Sequence, residues 1–283
     1  MSALEQRDPA YVAAALPLLR LAVKGYFRST VEGMENVPDG GALLVGNHSG
    51  GLTPMDVPII LVAFAEAFGT ERPLHCLAHD MLFTGAAGPL MRRFGFVRAD
   101  RESAQEILTS GGATIVFPGG DYDTFRPTLR GNVIDFRGRT GYVRTALRAG
   151  VPIVPVVSIG GQEAQLFLTR GQALGRRSPL RRLMRTDLLP FGFGFPFGLA
   201  PAPLNFPLPT KISTRVLDPI DPATALDSDD VPGDGPGDGP GDGPGGIEAG
   251  SDEHVARVDA LVRERMQEAL DELARARRFP VLG

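Results

Sequence analysis

Short, almost purely apolar runs alternate along the middle of the chain with stretches whose apolar residues recur every three or four positions. Residues 42–45, 74–78, 113–117, 153–159 and 211–217 have the length and the branched or bulky side chains of strands, whereas 57–68, 103–110 and 141–148 carry helical spacing. This alternation predicts an α/β fold, a mostly parallel sheet flanked by helices, with an N-terminal amphipathic helix and a C-terminal helix outside it. Chemistry is then expected in the loops at the carboxyl ends of the strands.

The ends of the pattern differ from its middle. Residues 10–28 are apolar but interrupted by Pro17, Arg20 and Lys24, which suits a helix lying in a membrane interface with its cations reaching toward headgroups, or equally one packed on the protein's own core. Residues 233–246 repeat Gly-Asp-Gly-Pro, a composition that cannot bury a core. Beyond it, 252–278 places Val255, Val258, Leu261, Val262, Leu270 and Leu273 near helical spacing, with acids first and arginines last, as the helix dipole favours. This helix is expected to dock back onto the body. The resulting division is 1–30 (interface helix), 31–220 (catalytic domain), 221–251 (linker) and 252–283 (terminal helix).

Composition narrows the class. Hydrophobic residues make up 43% of the 283 and charged ones 22%, too apolar for a disordered chain. The lone Cys76 excludes a disulfide framework and a cysteine-based zinc cluster and fits a reducing, intracellular setting. No stretch reaches the roughly 18 uninterrupted apolar residues of a spanning helix, and no signal peptide is legible, so the protein is not expected to cross a bilayer. Residues 218–283 hold 6 Lys/Arg against 16 Asp/Glu, and residues 1–217 hold 23 against 17. The basic body suits an anionic membrane surface and anionic substrates. Nucleic acid is not an expected partner, because no stripe of lysines interleaved with aromatics is present. Arg176, Arg177, Arg181, Arg182 and Arg185 precede a Phe/Gly/Pro run at 188–199 with little secondary-structure propensity. Together they read as a membrane-facing segment, the alternatives being a buried loop or the wall of an acyl-chain tunnel.

Two loops carry the candidate chemistry. In Val45-Gly46-Asn47-His48-Ser49-Gly50-Gly51 an apolar strand runs into a glycine-rich turn, and Asp56 follows at the start of a helix. A histidine at a strand exit is a natural general base, since imidazole exchanges protons near neutrality and a carboxylate can hold its tautomer. In Phe117-Pro118-Gly119-Gly120-Asp121-Tyr122-Asp123, with Arg126 beyond, a second strand ends where glycines let backbone approach a ligand. Arg98 and Arg101, between a strand-like stretch and a helix start, are placed to bind a phosphate or to form surface ion pairs. His75, Cys76, His79 and Asp80 lie close in sequence, but four positions along a strand is a long reach, and no metal is expected. His254 is expected to be solvated.

In this order and spacing the segments resemble the acyltransferase superfamily that includes lysophosphatidic-acid acyltransferases and monoacylglycerol/diacylglycerol acyltransferase-like enzymes. Asn47-His48 with Asp56, Gly95 through Arg101, Phe117 through Gly120, and Val151-Pro152-Ile153-Val154-Pro155-Val156 match its four blocks, over roughly residues 30–220. The resemblance implies transfer of an acyl group from acyl-CoA or acyl carrier protein to a lipid hydroxyl. His48 and Asp56 would be catalytic, and Asn47, Gly50, Gly51, Arg98, Arg101, Pro118, Gly119, Gly120, Asp121, Asp123 and Arg126 would contact substrate. No cofactor is implied, and the expected location is the cytoplasmic face of the cell membrane. Two departures stand out. The acid follows His48 by eight positions rather than five, and Gly119 stands where the third block usually has Glu, so that any role of that carboxylate falls to Asp121 or Asp123 or is lost. Both resemble the glycerolipid branch. An esterase would need Gly-x-Ser-x-Gly, which no serine here satisfies. A lipid-binding protein without catalysis is the other alternative.

Overall fold

A computed structural model describes residues 6–50, 54–85, 87–172, 188, 190–201, 205–225, 250–279 and 281. The arginine cluster at 176–185, the repeat at 233–246 and Gly51 lie outside these residues.

The strands are β1 (Thr30–Glu32), β2 (Ala42–Gly46), β3 (Leu74–Ala78), β4 (Phe96–Arg98), β5 (Ala113–Val116), β6 (Ile153–Ile159), β7 (Leu166–Thr169), β8 (Phe191–Gly194), β9 (Gly198–Pro201) and β10 (Ser213–Val216). Seven of them form one sheet in the order β1-β10-β6-β2-β5-β3-β4. The five strands from β6 to β4 are parallel, and β10, with β1 beside it, runs against them. β2 and β6 are buried at every residue, as continuous apolar runs in a sheet covered on both faces should be. Alternate side chains serve opposite cores. Leu43, Val45, Ile153 and Val157 face one side, and Ala42, Leu44, Ile115 and Val154 the other.

The helices are α1 (Pro9–Arg20), α2 (Asp56–Phe68), α3 (Ala87–Arg93), α4 (Arg101–Thr109), α5 (Gly120–Thr124), α6 (Gly141–Ala149), α7 (Gly161–Ala164) and α8 (Asp252–Ala276). α2 covers one face of the sheet through Ile60 and Phe64. α6 and α8 cover the other, α8 burying Val255, Val258, Val262, Met266, Leu270 and Leu273. Ser251 caps α8 by accepting the His254 N–H at 3.1 Å, and Asp252 and Glu253 occupy its first turn. His254 is not solvated. It is buried, with Nε2 2.7 Å from the Pro222 carbonyl, because the helix turns that position inward.

α1 continues as a π-helical segment over Leu21–Tyr26. Val12, Leu16, Val23 and Phe27 are buried, and Leu16, Val23 and Phe27 join α2 residues Ile59 and Val62 in one core, while Leu18 and Leu21 point outward. Arg20 and Lys24 do not reach away from the protein: both pair with Glu66 of α2, at 2.9 and 2.7 Å. Among the described residues no helix is long and apolar enough to cross a membrane. The Phe/Gly/Pro run also departs from expectation, for β8 and β9 form a hairpin that joins β7 in a second, antiparallel sheet.

Candidate active site

β2 is central in the sheet, between β5 and β6, so the loops leaving these three strands meet at one point. Asn47 leaves β2 toward β6. Its side-chain amide donates to the Ser158 carbonyl and accepts the Ser158 N–H, both at 2.9 Å. This side chain extends the sheet ladder, held by protein through both its amide nitrogen and its oxygen.

His48 is held from three sides. Its Nδ1 lies 3.4 Å from Asp56 Oδ2. Its ring stacks on Phe117 at the end of β5, with centroids 4.1 Å apart and planes 6° from parallel. A Cβ on Gly46 would stand 2.7 Å from that Phe117 ring, so the glycine makes room for it. The third hold is through the backbone: the His48 N–H donates to Asp123 Oδ2 at 2.9 Å, while Asp123 Oδ1 accepts from Arg126 at 2.7 Å.

Asp56 opens α2 and is completely buried. Besides His48 it accepts the Ser49 N–H at 3.0 Å and the Ser49 hydroxyl at 2.6 Å. These bonds fold the turn back so that an acid eight positions downstream meets the imidazole, in the first turn of a helix where a negative charge is favoured. Gly50 adopts φ +114°, and a Cβ there would lie 2.5 Å from Gln162 Cγ; a Cβ on Gly161 would lie 2.3 Å from Ser49 Oγ. The turn therefore packs backbone to backbone on α7. A polar recess of about 10 Å³, room for one water, lies among Asn47, His48, Ser49, Asp123, Ser158 and Gln162.

The second loop supports the first rather than presenting itself to a ligand. Asp123 and Arg126 are both buried and paired, and burial pushes the Asp123 carboxyl above its ordinary value against the opposing pull of Arg126 and His48. Neither has the exposure expected of a substrate contact. Asp121 is exposed on α5, so of the two acids only Asp123 reaches the histidine. The carbonyls of Pro118 and Gly119 accept from Arg139, at 2.8 and 3.2 Å. The Gly120 N–H donates to the Phe117 carbonyl at 3.1 Å, which withdraws it as an oxyanion donor. A Cβ on Gly119 would stand 2.5 Å from the Asp123 Cβ. Ser49, Phe117 and Arg139 were not among the expected site residues. Ser49 and Phe117 flank the two motifs in sequence and were legible from position alone, while Arg139 makes contacts across about 20 residues that no local pattern signals.

Arg98 and Arg101 are not brought to His48. Arg98 ends the edge strand β4, three strands from β2 and on the order of 14 Å away at ~4.8 Å per strand. It is exposed and lies 3.6 Å from Asp80. Arg101 begins α4 and is exposed. Both stand at the same end of the sheet as the histidine.

A histidine and a carboxylate thus meet at the exit of a central strand of an α/β sheet. The chain matches, over residues 28–159, the family model described as Acyltransferase. More particularly, it is 38% identical over 199 residues to an uncharacterised protein of Mycobacterium tuberculosis, an alignment covering 69% of this chain and 55% of that one. It is 28% identical to the mouse "DGAT1/2-independent enzyme synthesizing storage lipids", over 67% of this chain and 52% of the relative. The chain thus spans about half the length of these curated relatives. The crystal structure of the 1-acyl-sn-glycerophosphate (LPA) acyltransferase PlsC from Thermotoga maritima shares the fold, with a TM-score of 0.53 at 20% identity over 94% of this chain and 82% of that one.

Proposed function

We propose that the protein is an O-acyltransferase that moves a fatty acyl group from an acyl thioester, carried by coenzyme A or acyl carrier protein, to a hydroxyl of a glycerolipid or lysophospholipid. The observation that carries this reading is the His48–Asp56 pair, braced by Phe117 and Asp123, at the carboxyl end of the central strand. His48 takes the proton of the acceptor hydroxyl, and the oxygen attacks the thioester carbonyl. The tetrahedral intermediate expels the thiolate, which receives the proton back from the imidazolium. Asp56 holds the ring through Nδ1 and stabilises its charged form. General-base catalysis of this kind is worth about 10²–10⁴-fold. The amides of His48 and Ser49 are already tied to carboxylates, so donors for the oxyanion are sought at Gly50-Gly51 or Gly119. No cofactor is needed.

The acceptor resides in a bilayer, and the enzyme is proposed to work as a peripheral protein on the cytoplasmic face of the membrane. The names of the mouse relative and of the human relative "2-acylglycerol O-acyltransferase 3" favour an acylglycerol acceptor. The test is transfer of one labelled acyl thioester to a panel of monoacylglycerol, diacylglycerol and lysophospholipids, by wild type and His48→Ala. Transfer that collapses in the variant while lipid binding survives supports the mechanism. Retained transfer refutes it, and binding without transfer by the wild type favours a lipid-binding protein instead.

A further inference from the structure

The small sheet β7-β8-β9 has one face packed on the body and one face outward. Phe167, Gly192 and Ala200 are in register and buried, Phe167 packing on Phe125. Antiparallel sheets of this kind ordinarily present polar side chains to water. Here the outward register row is Leu166, Phe193 and Leu199, with Phe193 and Leu199 56% and 62% exposed. The hairpin tip adds Phe195 and Phe197, at 69% and 63%, and Phe206, bridged to Phe195, is 68% exposed. Four exposed phenylalanines on one small sheet and its tip exceed what scattered surface apolar residues explain.

The N-terminal helix is tied to the segment beside this sheet. Tyr26, which closes the π-helical extension of α1, donates its hydroxyl to the Pro207 carbonyl at 2.8 Å, one residue from Phe206. The outward Leu18 and Leu21 lie on the helix that Tyr26 ends. The sheet is also joined to the catalytic turn. β7 follows α7 directly, and α7 is the element against which Ser49 and Gly50 pack.

We propose that the outward face of the β7-β8-β9 sheet is a bilayer-docking surface that seats the catalytic turn at an anionic membrane. This rests on the acyltransferase reading, whose acceptor does not leave the membrane. A bilayer, rather than a protein groove, fits an outward sheet face and hairpin tip lined by Leu166, Phe193, Phe195, Phe197 and Leu199. Anionic lipid fits the excess of 23 Lys/Arg over 17 Asp/Glu in residues 1–217.

The chain contains no tryptophan, so Phe195→Trp installs a single fluorescent reporter without emptying the patch. On phosphatidylcholine vesicles containing phosphatidylglycerol, the indole emission of this variant shifts to the blue and is quenched by lipids brominated in their acyl chains. In cosedimentation, the Phe193→Ser/Phe195→Ser/Phe197→Ser variant loses about 1000-fold or more in partitioning, each buried phenylalanine contributing roughly tenfold or more. It keeps the wild-type rate toward a short-chain acceptor dispersed in water and loses the rate toward acceptor in vesicles. Unchanged cosedimentation of the triple variant overturns the proposal, as does indole emission from Phe195→Trp that vesicles neither shift nor quench. So does a wild-type dimer that ignores vesicles and that the triple variant dissociates. Wild type that binds vesicles but transfers to no acceptor overturns the acyltransferase reading and leaves the docking surface standing.

Discussion

Replacing Asp56 with Asn keeps the side chain's size and its acceptor oxygen but removes the charge that faces the ring. At 3.4 Å and an effective dielectric constant of about 20, the attraction between an imidazolium and this carboxylate is about 5 kcal/mol. Part of that is recovered when the imidazole stays neutral, so the loss expected in the transition state lies within the range of base catalysis, on the order of 10³-fold in kcat. Asn also presents an N–H toward Nδ1 or the Ser49 hydroxyl, which disfavours the tautomer that accepts a proton on Nε2. Thiol release followed with a chromogenic disulfide reports the rate. Ser49→Ala is the control. It removes the 2.6 Å hydroxyl bond to the same carboxylate while leaving the charge, and is expected to cost stability of about 1.5–3 kcal/mol and kcat less than about tenfold. If Asp56→Asn, folded as judged by its melting curve, retained kcat within about tenfold, the paired-base mechanism would be wrong.

The same assay depends on the protein's own thiol being silent: burial pushes the Cys76 thiol up to about 12, so it is expected to react with the disulfide reagent only after denaturation. His75 sets an acid limit on stability. Burial, and then Arg7, lower its value to about 4 from an ordinary 6.5. Between those values the unfolded chain binds more protons, so stability falls by about 3 kcal/mol as the pH drops from about 6.5 to about 4. His75→Leu is expected to flatten that part of the urea-unfolding profile, and an unchanged slope would contradict the assignment. Asp123→Ala and Arg126→Met each leave a buried charge without its partner and are expected to cost about 3–5 kcal/mol, whereas the double variant costs less than the sum. Strict additivity in thermal unfolding would show that the pair is not coupled.

The strands and helices around the site were legible because each is a run of one period. Residues 74–78 and 153–159 are the observed β3 and β6 to the residue, and the His48–Asp56 proximity followed from a histidine at a strand exit and an acid at a helix start. The harder parts are those where a polar side chain spends itself on backbone. Asn47 has the composition of a ligand contact, and only the parallel neighbour β6, more than a hundred residues on, reveals that its amide continues the ladder. Arg126 and Asp123 likewise look like exposed loop charges until the fold buries them beneath His48. The run at 188–199 gives little sign of its hairpin because glycines at 192, 194 and 198 dilute the strand signal. A Cβ at 194 would meet Asn205 at 3.1 Å, so tertiary packing there overrides propensity.

A side chain at position 119 and the Asp123 side chain compete for one space. The two positions are a helical turn apart, and the space that a Cβ on residue 119 would need is already filled by Asp123 Cβ and Cγ, at 2.5 and 2.9 Å. Restoring Glu at 119 alone is therefore expected to displace Asp123 and, through it, the His48 N–H, lowering both the melting temperature and kcat. Combining Gly119→Glu with Asp123→Ala removes the obstructing side chain and returns a carboxylate to the turn beside Arg126. The double variant is then expected to be more stable than the sum of the two single effects by at least about 1 kcal/mol, the scale of coupling between residues in contact. A double variant whose losses simply add would mean that the two side chains do not compete for that space.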